Sequence, residues 1–226
     1  MPPKAKAAEA LENLPGFLKI IREQVKQWKP PIVGTFAEGK NAAFKVLIST
    51  VLSLRTKDKT TEEASLRLFQ VAETPADMLK LPASQIEKLI FPVGFYRTKA
   101  KTILEICRTL LDRFEGRVPS DIETLLTLKG VGRKTANLVV TVGYGKPGIC
   151  VDTHVHRISN RWGLVHTDTP DETEAALRKI LPPKYWIEYN DLLVCFGQNL
   201  CQPVSPFCSR CKFNGLCPRV GVKNSR

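Results

Sequence analysis

Apolar residues recur at helical spacing almost throughout this chain, and that property restricts its architecture more than any other. Phe44, Leu47, Ile48, Val51 and Leu52 stand at i, i+3, i+4, i+7 and i+8, one face of an amphipathic helix. Leu66 and Phe69 with neighbouring alanines repeat the pattern, as do Ile103, Ile106, Leu110 and Phe114. Leu138, Val139 and Val142 mark a further buried stripe. Sustained period-2 alternation bounded by hairpin turns is missing, so the expected fold class is all-α.

Prolines and capping residues punctuate these helices. Pro30-Pro31 is expected to end an N-terminal helix, because proline lacks an N–H and restricts the residue before it. Pro75, Pro82 and Pro92 cut the next stretch into short helices. Ser120 with Glu123 fits a capping box that opens a helix after Pro119, and Pro170, after Asp168-Thr169, suits a first helical position. The Lys- and Ala-rich start, Met1 to Ala10, lacks an apolar signal core and is expected to be disordered. No stretch approaches the roughly 18 consecutive apolar residues of a membrane span. An intracellular location is therefore expected: cytoplasm or nucleoid in a prokaryote, nucleus in a eukaryote. A chain of 226 residues fits one or two domains.

Thirty-four Lys and Arg against 22 Asp and Glu give a net charge of +12. A field of that sign attracts polyanions and speeds their encounter. Charge alone permits an anionic partner without choosing one.

The segment Leu125 to Ala136 is more specific. A helix expected over about 121–128 runs into Gly130-Val131-Gly132, and a second helix starts at once with Arg133-Lys134-Thr135-Ala136. Two glycines permit a tight turn and close approach of a ligand to the backbone. Backbone N–H groups at the start of the second helix, reinforced by its dipole, suit a phosphodiester whatever the base sequence. The same glycines also fit an ordinary turn between helices. Lys134 falls in the first turn of that second helix. A lysine attacks as its neutral amine, and the positive end of a helix dipole disfavours the ammonium form. Such an amine can attack an electrophilic carbon, displace its leaving group and form a Schiff base. Downstream, Val151-Asp152-Thr153-His154-Val155-His156-Arg157 offers a carboxylate that can shuttle protons or stabilise a developing positive charge. Asp152 also fits the N-cap of a helix opening at Thr153.

Seven cysteines are unevenly placed. Cys107, Cys150 and Cys195 stand singly in apolar surroundings and read as small buried hydrophobes. The others form Cys201-x6-Cys208-x2-Cys211-x5-Cys217, which in an intracellular chain suggests a metal site rather than disulfides. Four thiolates hold either tetrahedral zinc or a cubane iron–sulfur cluster, and ligand count does not separate them.

Leu128 to Ala136 resembles the helix-hairpin-helix of the endonuclease III family, and Val151 to Arg157 resembles its carboxylate motif, at a matching distance from Lys134. The cysteine spacing resembles the family's C-terminal [4Fe-4S] loop, and the resemblance runs from roughly Phe36 to Cys217. It implies a two-lobed helix-hairpin-helix DNA glycosylase fold. One lobe, residues 35–145, would be a six-helix bundle carrying the hairpin; the other would join residues 1–34 to 146–226 and hold the cluster. The implied enzyme is a monomer that acts on double-stranded DNA, removes oxidised pyrimidines and cleaves abasic sites by β-elimination. Lys134 would be the nucleophile, Asp152 its partner, and Cys201, Cys208, Cys211 and Cys217 the cluster ligands. Gly130, Val131, Gly132, Arg133 and His154 would contact DNA, with Arg210 and Lys212 on phosphates. Two loops of the family fill the gap left by an extruded nucleotide; here they correspond to Leu52–Asp58 and Val93–Ala100. Arg55 stands where the family commonly has glutamine and Phe95 where it has leucine, which leaves opposite-base preference open. Arginine can read a base edge and phenylalanine can wedge between bases.

Three alternatives remain at this point. An adenine glycosylase of the same superfamily typically lacks the nucleophilic lysine and carries a further C-terminal domain. A mismatch thymine or uracil glycosylase usually differs at that lysine too. A hairpin module can also grip DNA without catalysis.

Overall fold

The structure is a computed structural model that describes residues 14–28 and 32–226; the basic start and the Pro30-Pro31 break lie outside them. Every regular element among the described residues is helical. They divide into two compact units, one within Pro31–Gly148 and the other within Met1–Pro30 and Ile149–Arg226.

The first unit begins with a 3-10 turn, Ile32–Phe36, and continues through α-helices flanking α2, Ala42–Ser53; in chain order α1, Leu14–Val25, belongs to the other unit. Around α2 pack α3 (Asp58–Phe69), α6 (Tyr96–Phe114) and α8 (Arg133–Leu138), the last continued by a π turn, Val139–Gly143. Helix α2 is buried on most of its surface, with Phe44, Val46, Leu47, Ile48, Val51 and Leu52 in the core and Lys45 turned out to pair with Glu73, as befits a helix largely enclosed by others. Its hydroxyls are satisfied internally: Ser49 and Thr50 both donate to Val46 O. The prolines act as expected. Thr74 caps α4 (Pro75–Leu79) with Pro75 at its start, and Pro82 precedes α5 (Ala83–Ile90).

One cap differs from expectation. Asp121, not Ser120, opens α7 (Ile122–Leu126), its carboxylate accepting Thr124 N–H at 2.8 Å. Ser120 Oγ instead accepts Lys146 Nζ at 2.6 Å. A carboxylate in register outcompetes a hydroxyl one residue earlier, because a charge-assisted bond is the stronger.

In the second unit, Leu14, Phe17, Leu18 and Ile21 of α1 follow the i, i+3, i+4, i+7 rule and are all buried. They join a core built from α9 (Thr153–Arg161), α10 (Pro170–Ile180) and α11 (Trp186–Asn199). Phe17 meets Phe213 edge-on at 5.0 Å, and Trp162 lies 5.6 Å from the same ring. The C-terminal loop is thereby anchored by an aromatic side chain from its own interior. Thr169 caps α10, with Pro170 at its first position.

Candidate active site and cysteine loop

The hairpin is formed by α7, the turn at Leu128–Gly132 and α8. Val131 N–H closes the turn on Leu128 O at 3.0 Å. Its two glycines are not equivalent. Gly130 has φ 82°, and a Cβ there would stand 2.6 Å from Thr102 Cγ2 on α6. Both facts demand glycine. Gly132 has φ −96°, is exposed, and a Cβ there would meet no atom of the described residues within 4 Å. Its bareness leaves room for something outside the unit. Val131 buries its side chain in the core, so what it offers a ligand is backbone.

Helix α8 starts its ladder with Ala136 N–H on Gly132 O at 2.9 Å. Arg133 and Lys134, both half-buried, therefore lie in the first turn, immediately after the open glycine. Asp152, in the other unit, is the N-cap of α9. Its Oδ1 accepts both His154 N–H at 2.8 Å and Val155 N–H at 3.0 Å, and neither capping bond uses Oδ2.

His154 is turned toward α11. Its Nδ1 lies 3.0 Å from Arg157 Nη2, and a Cβ on Gly197 would come within 2.5 Å of it. Arg157 itself donates to Cys201 O and Gly197 O. His154 is thus a packing residue of the α9–α11 contact, and that side of the ring is occupied.

Two more of the residues expected from the sequence come together on the first unit. The loop after α2 carries Arg55 and the loop before α6 carries Phe95; both side chains are exposed and both backbones are left-handed, at φ 55° and 57°. The Arg55 guanidinium carbon lies 4.8 Å from the centre of the Phe95 ring. Sequence reasoning passed over Lys99, which is 7% exposed and binds the Arg55 loop. Its signal was its register: it stands four before Ile103 on the apolar stripe of α6.

Cys201, Cys208, Cys211 and Cys217 line one cavity together with Trp162, Phe196 and Phe213. Arg161 shapes the loop from within, donating to Gln202 O and Pro203 O at 2.8 Å and to Cys201 Sγ at 3.2 Å. Buried Gln24 of α1 holds the backbone on both sides of Cys211, through Arg210 O and Lys212 N–H. Burial pushes the Cys211 thiol up to about 11 and raises Cys217 as well. Among the described residues, no three or more His, Cys, Asp or Glu converge tightly enough to hold one metal ion. Arg210 and Lys212 are exposed, the former over the Phe207 ring at 5.3 Å. Cys107, Cys150 and Cys195 are buried, and burial pushes the Cys107 thiol up to about 12.

Residues 48–183 match the HhH-GPD superfamily of base excision DNA repair proteins. The chain is 52% identical over 174 residues to endonuclease III of Thermotoga maritima, covering 77% of this chain and 82% of that one. The chain belongs to the endonuclease III family. It is a base excision repair DNA glycosylase with abasic-site lyase activity. Among solved structures, a trapped endonuclease III–DNA covalent intermediate superposes with a TM-score of 0.81 at 35% identity, covering 92% of this chain and 96% of that one. A thermostable thymine-DNA glycosylase superposes less well, with a TM-score of 0.70 at 25% identity, covering 88% of this chain and 95% of that one. Within the superfamily, the endonuclease III branch is therefore the one favoured over the mismatch enzymes and over a non-catalytic hairpin module. No helix among the described residues is long and apolar enough to cross a membrane.

Proposed function

We propose that the protein releases oxidised pyrimidines from duplex DNA and then cleaves the strand at the abasic site, with Lys134 as nucleophile and Asp152 as its carboxylate partner. The observation that carries this reading is the position of Lys134, in the first turn of the second hairpin helix, directly after the open backbone of Gly132. The neutral amine attacks C1′, the N–C1′ bond forms and the base leaves with the electrons of the glycosidic bond. Asp152 stabilises the positive charge that develops on the sugar and moves protons during departure and ring opening. The resulting imine makes a C2′ proton acidic; its removal expels the 3′ phosphate with its electron pair, and water then releases Lys134. Gly130, Gly132 and Arg133 hold the flanking phosphates through backbone and charge.

The four cysteines fit a [4Fe-4S] cluster. They line one cavity among apolar side chains, and their x6-x2-x5 spacing resembles the cluster loop of the family, whose usual ligands are four thiolates. When bound, the cluster holds the four thiols as thiolates and ties the loop together. Exposed Arg210 and Lys212 then face DNA phosphates. A soluble intracellular enzyme working on chromosomal DNA is consistent with the net charge of +12.

The test is borohydride trapping on an abasic-site duplex. A covalent adduct is expected, and Lys134→Gln should abolish it while leaving duplex binding largely intact. Trapping by the Gln variant would remove Lys134 from its role. A lesion panel of thymine glycol, dihydrouracil and uracil opposite guanine then decides the substrate class, and preference for uracil would overturn the oxidised-pyrimidine assignment.

A further inference from the structure

Lys99 occupies a place where a lysine is ordinarily excluded. It lies on the apolar stripe of α6 with Ile103, Ile106 and Leu110, and is 7% exposed. Burying an ammonium is costly unless its donors are met. Here all three are: Nζ donates to Leu52 O at 2.8 Å, Leu54 O at 2.5 Å and Thr56 Oγ1 at 3.2 Å. The two carbonyls lie at the C-terminal end of α2, where the helix dipole favours a cation. All three acceptors belong to the segment that carries Arg55.

The second loop is joined to the first at the same point. Thr56 Oγ1, besides meeting Lys99, accepts Gly94 N–H at 3.1 Å. A Cβ on Gly94 would lie 2.7 Å from Arg55 O, so the two backbones touch. Arg55 and Phe95 follow in left-handed conformations, which a residue with a side chain adopts only at a steric cost. Such conformations persist only where the surroundings hold them. Between the two loops, the side-chain groups that hold them are the Lys99 ammonium and the Thr56 hydroxyl.

We propose that Lys99 is a positioning residue for nucleotide extrusion: its ammonium, with Thr56 as the bridge, locks the two loops into a single wedge, so that Arg55 and Phe95 enter the duplex as one body. This rests on the DNA-glycosylase reading and on the wedge role of the two loops. Lys99 is not itself a phosphate ligand, since it is buried and its three donors are used. Burial lowers its ammonium to about 8, so at neutral pH it keeps its charge and all three bonds.

The experiment uses a duplex carrying tetrahydrofuran, an uncleavable abasic analogue, opposite 2-aminopurine, whose fluorescence rises when an inserted wedge unstacks it. Wild-type protein is expected to give that rise and to bind this duplex more tightly than an undamaged one. Lys99→Met, which keeps the apolar stem, should lose the fluorescence rise and about tenfold of the preference for the abasic duplex. Affinity for undamaged duplex should change by no more than about twofold, because that contact is electrostatic and independent of the wedge. Thr56→Val removes the bridge, and with it one of the three acceptors of the ammonium, while keeping Lys99 itself; it should shift both readouts the same way, and Thr56→Ser should restore them. That pair carries the test if Lys99→Met does not fold. Wild-type signals in both Lys99→Met and Thr56→Val would overturn the clamp and leave the glycosylase reading intact. Absence of both trapping and fluorescence rise in the wild type would remove the two together.

Discussion

The Arg55 guanidinium rests 4.8 Å from the centre of the Phe95 ring, although the two residues belong to loops at the ends of different helices. Each is exposed, and each sits on left-handed backbone. An exposed cation–π contact contributes about 0.5–1 kcal/mol, too little to order two loops alone. The order comes from beneath, through Lys99, Thr56 and Gly94. Phe95→Ala should therefore leave the loops in place yet slow base release from a paired lesion by about 10- to 100-fold, the effect of losing roughly 1–3 kcal/mol of stacking. Single-turnover excision on paired and mismatched lesions checks this, and an equal loss on both would count against a wedge.

The two hairpin glycines should separate in mutagenesis. Gly130→Ala meets a positive φ and a clash with Thr102 together, and should destabilise the protein by about 1–3 kcal/mol. Gly132→Ala meets neither and should stay within about 0.5 kcal/mol of wild type, while weakening duplex binding by blocking backbone approach. Denaturant melts with fluorescence anisotropy on a labelled duplex decide the matter. Full duplex affinity in Gly132→Ala would show that the open glycine does not meet DNA.

Asp152 carries a cap and a proposed chemical role that two substitutions can part. Asp152→Ala loses the bonds to His154 and Val155 N–H and should destabilise by about 0.5–2 kcal/mol. Asp152→Asn can still cap, so it should melt close to wild type but lose base release. Retained glycosylase rate in Asp152→Asn would reduce Asp152 to a structural residue.

Lys99 sets a pH dependence of stability. Its folded value, about 8, lies below its ordinary value of 10.5 because burial penalises the ammonium. Below pH 8 both states hold the proton and the penalty is present in full. Between 8 and 10.5 the unfolded chain holds a proton the folded chain has released, so stability relative to Lys99→Met should rise with pH, by at most about 1.4 kcal/mol per unit. Parallel denaturation curves for the two proteins across that window would contradict it.

The cysteine loop predicts a stoichiometry. Anaerobically purified protein should carry about four iron and four sulfide per chain, and Cys208→Ser should lower both. Arg161→Met should also lower them, because the Cys201–Pro203 backbone loses its inner donor. Zinc without iron in the wild type would overturn the cluster.

The sequence by itself determined what depends on near neighbours along the chain. Helical class, the helix–turn–helix around Gly130-Val131-Gly132 and the Thr169–Pro170 start follow from local spacing, because helix bonds and caps span only three or four residues. The grouping of the four cysteines around one cavity follows likewise from their closeness in sequence. Tertiary structure decided what depends on which distant backbone comes near. The left-handed backbone of Gly130 and the approach of Thr102 from α6 together set it apart from Gly132, which stays open. Only the packing of α11 turns His154 onto Gly197. Competition between two caps one residue apart settled on Asp121, with Ser120 drawn off by Lys146. Arg55 and Phe95 were each legible as candidates, but their contact was not. It exists because the end of α2 and the start of α6 meet over one buried ammonium, an encounter set by the core rather than by either loop.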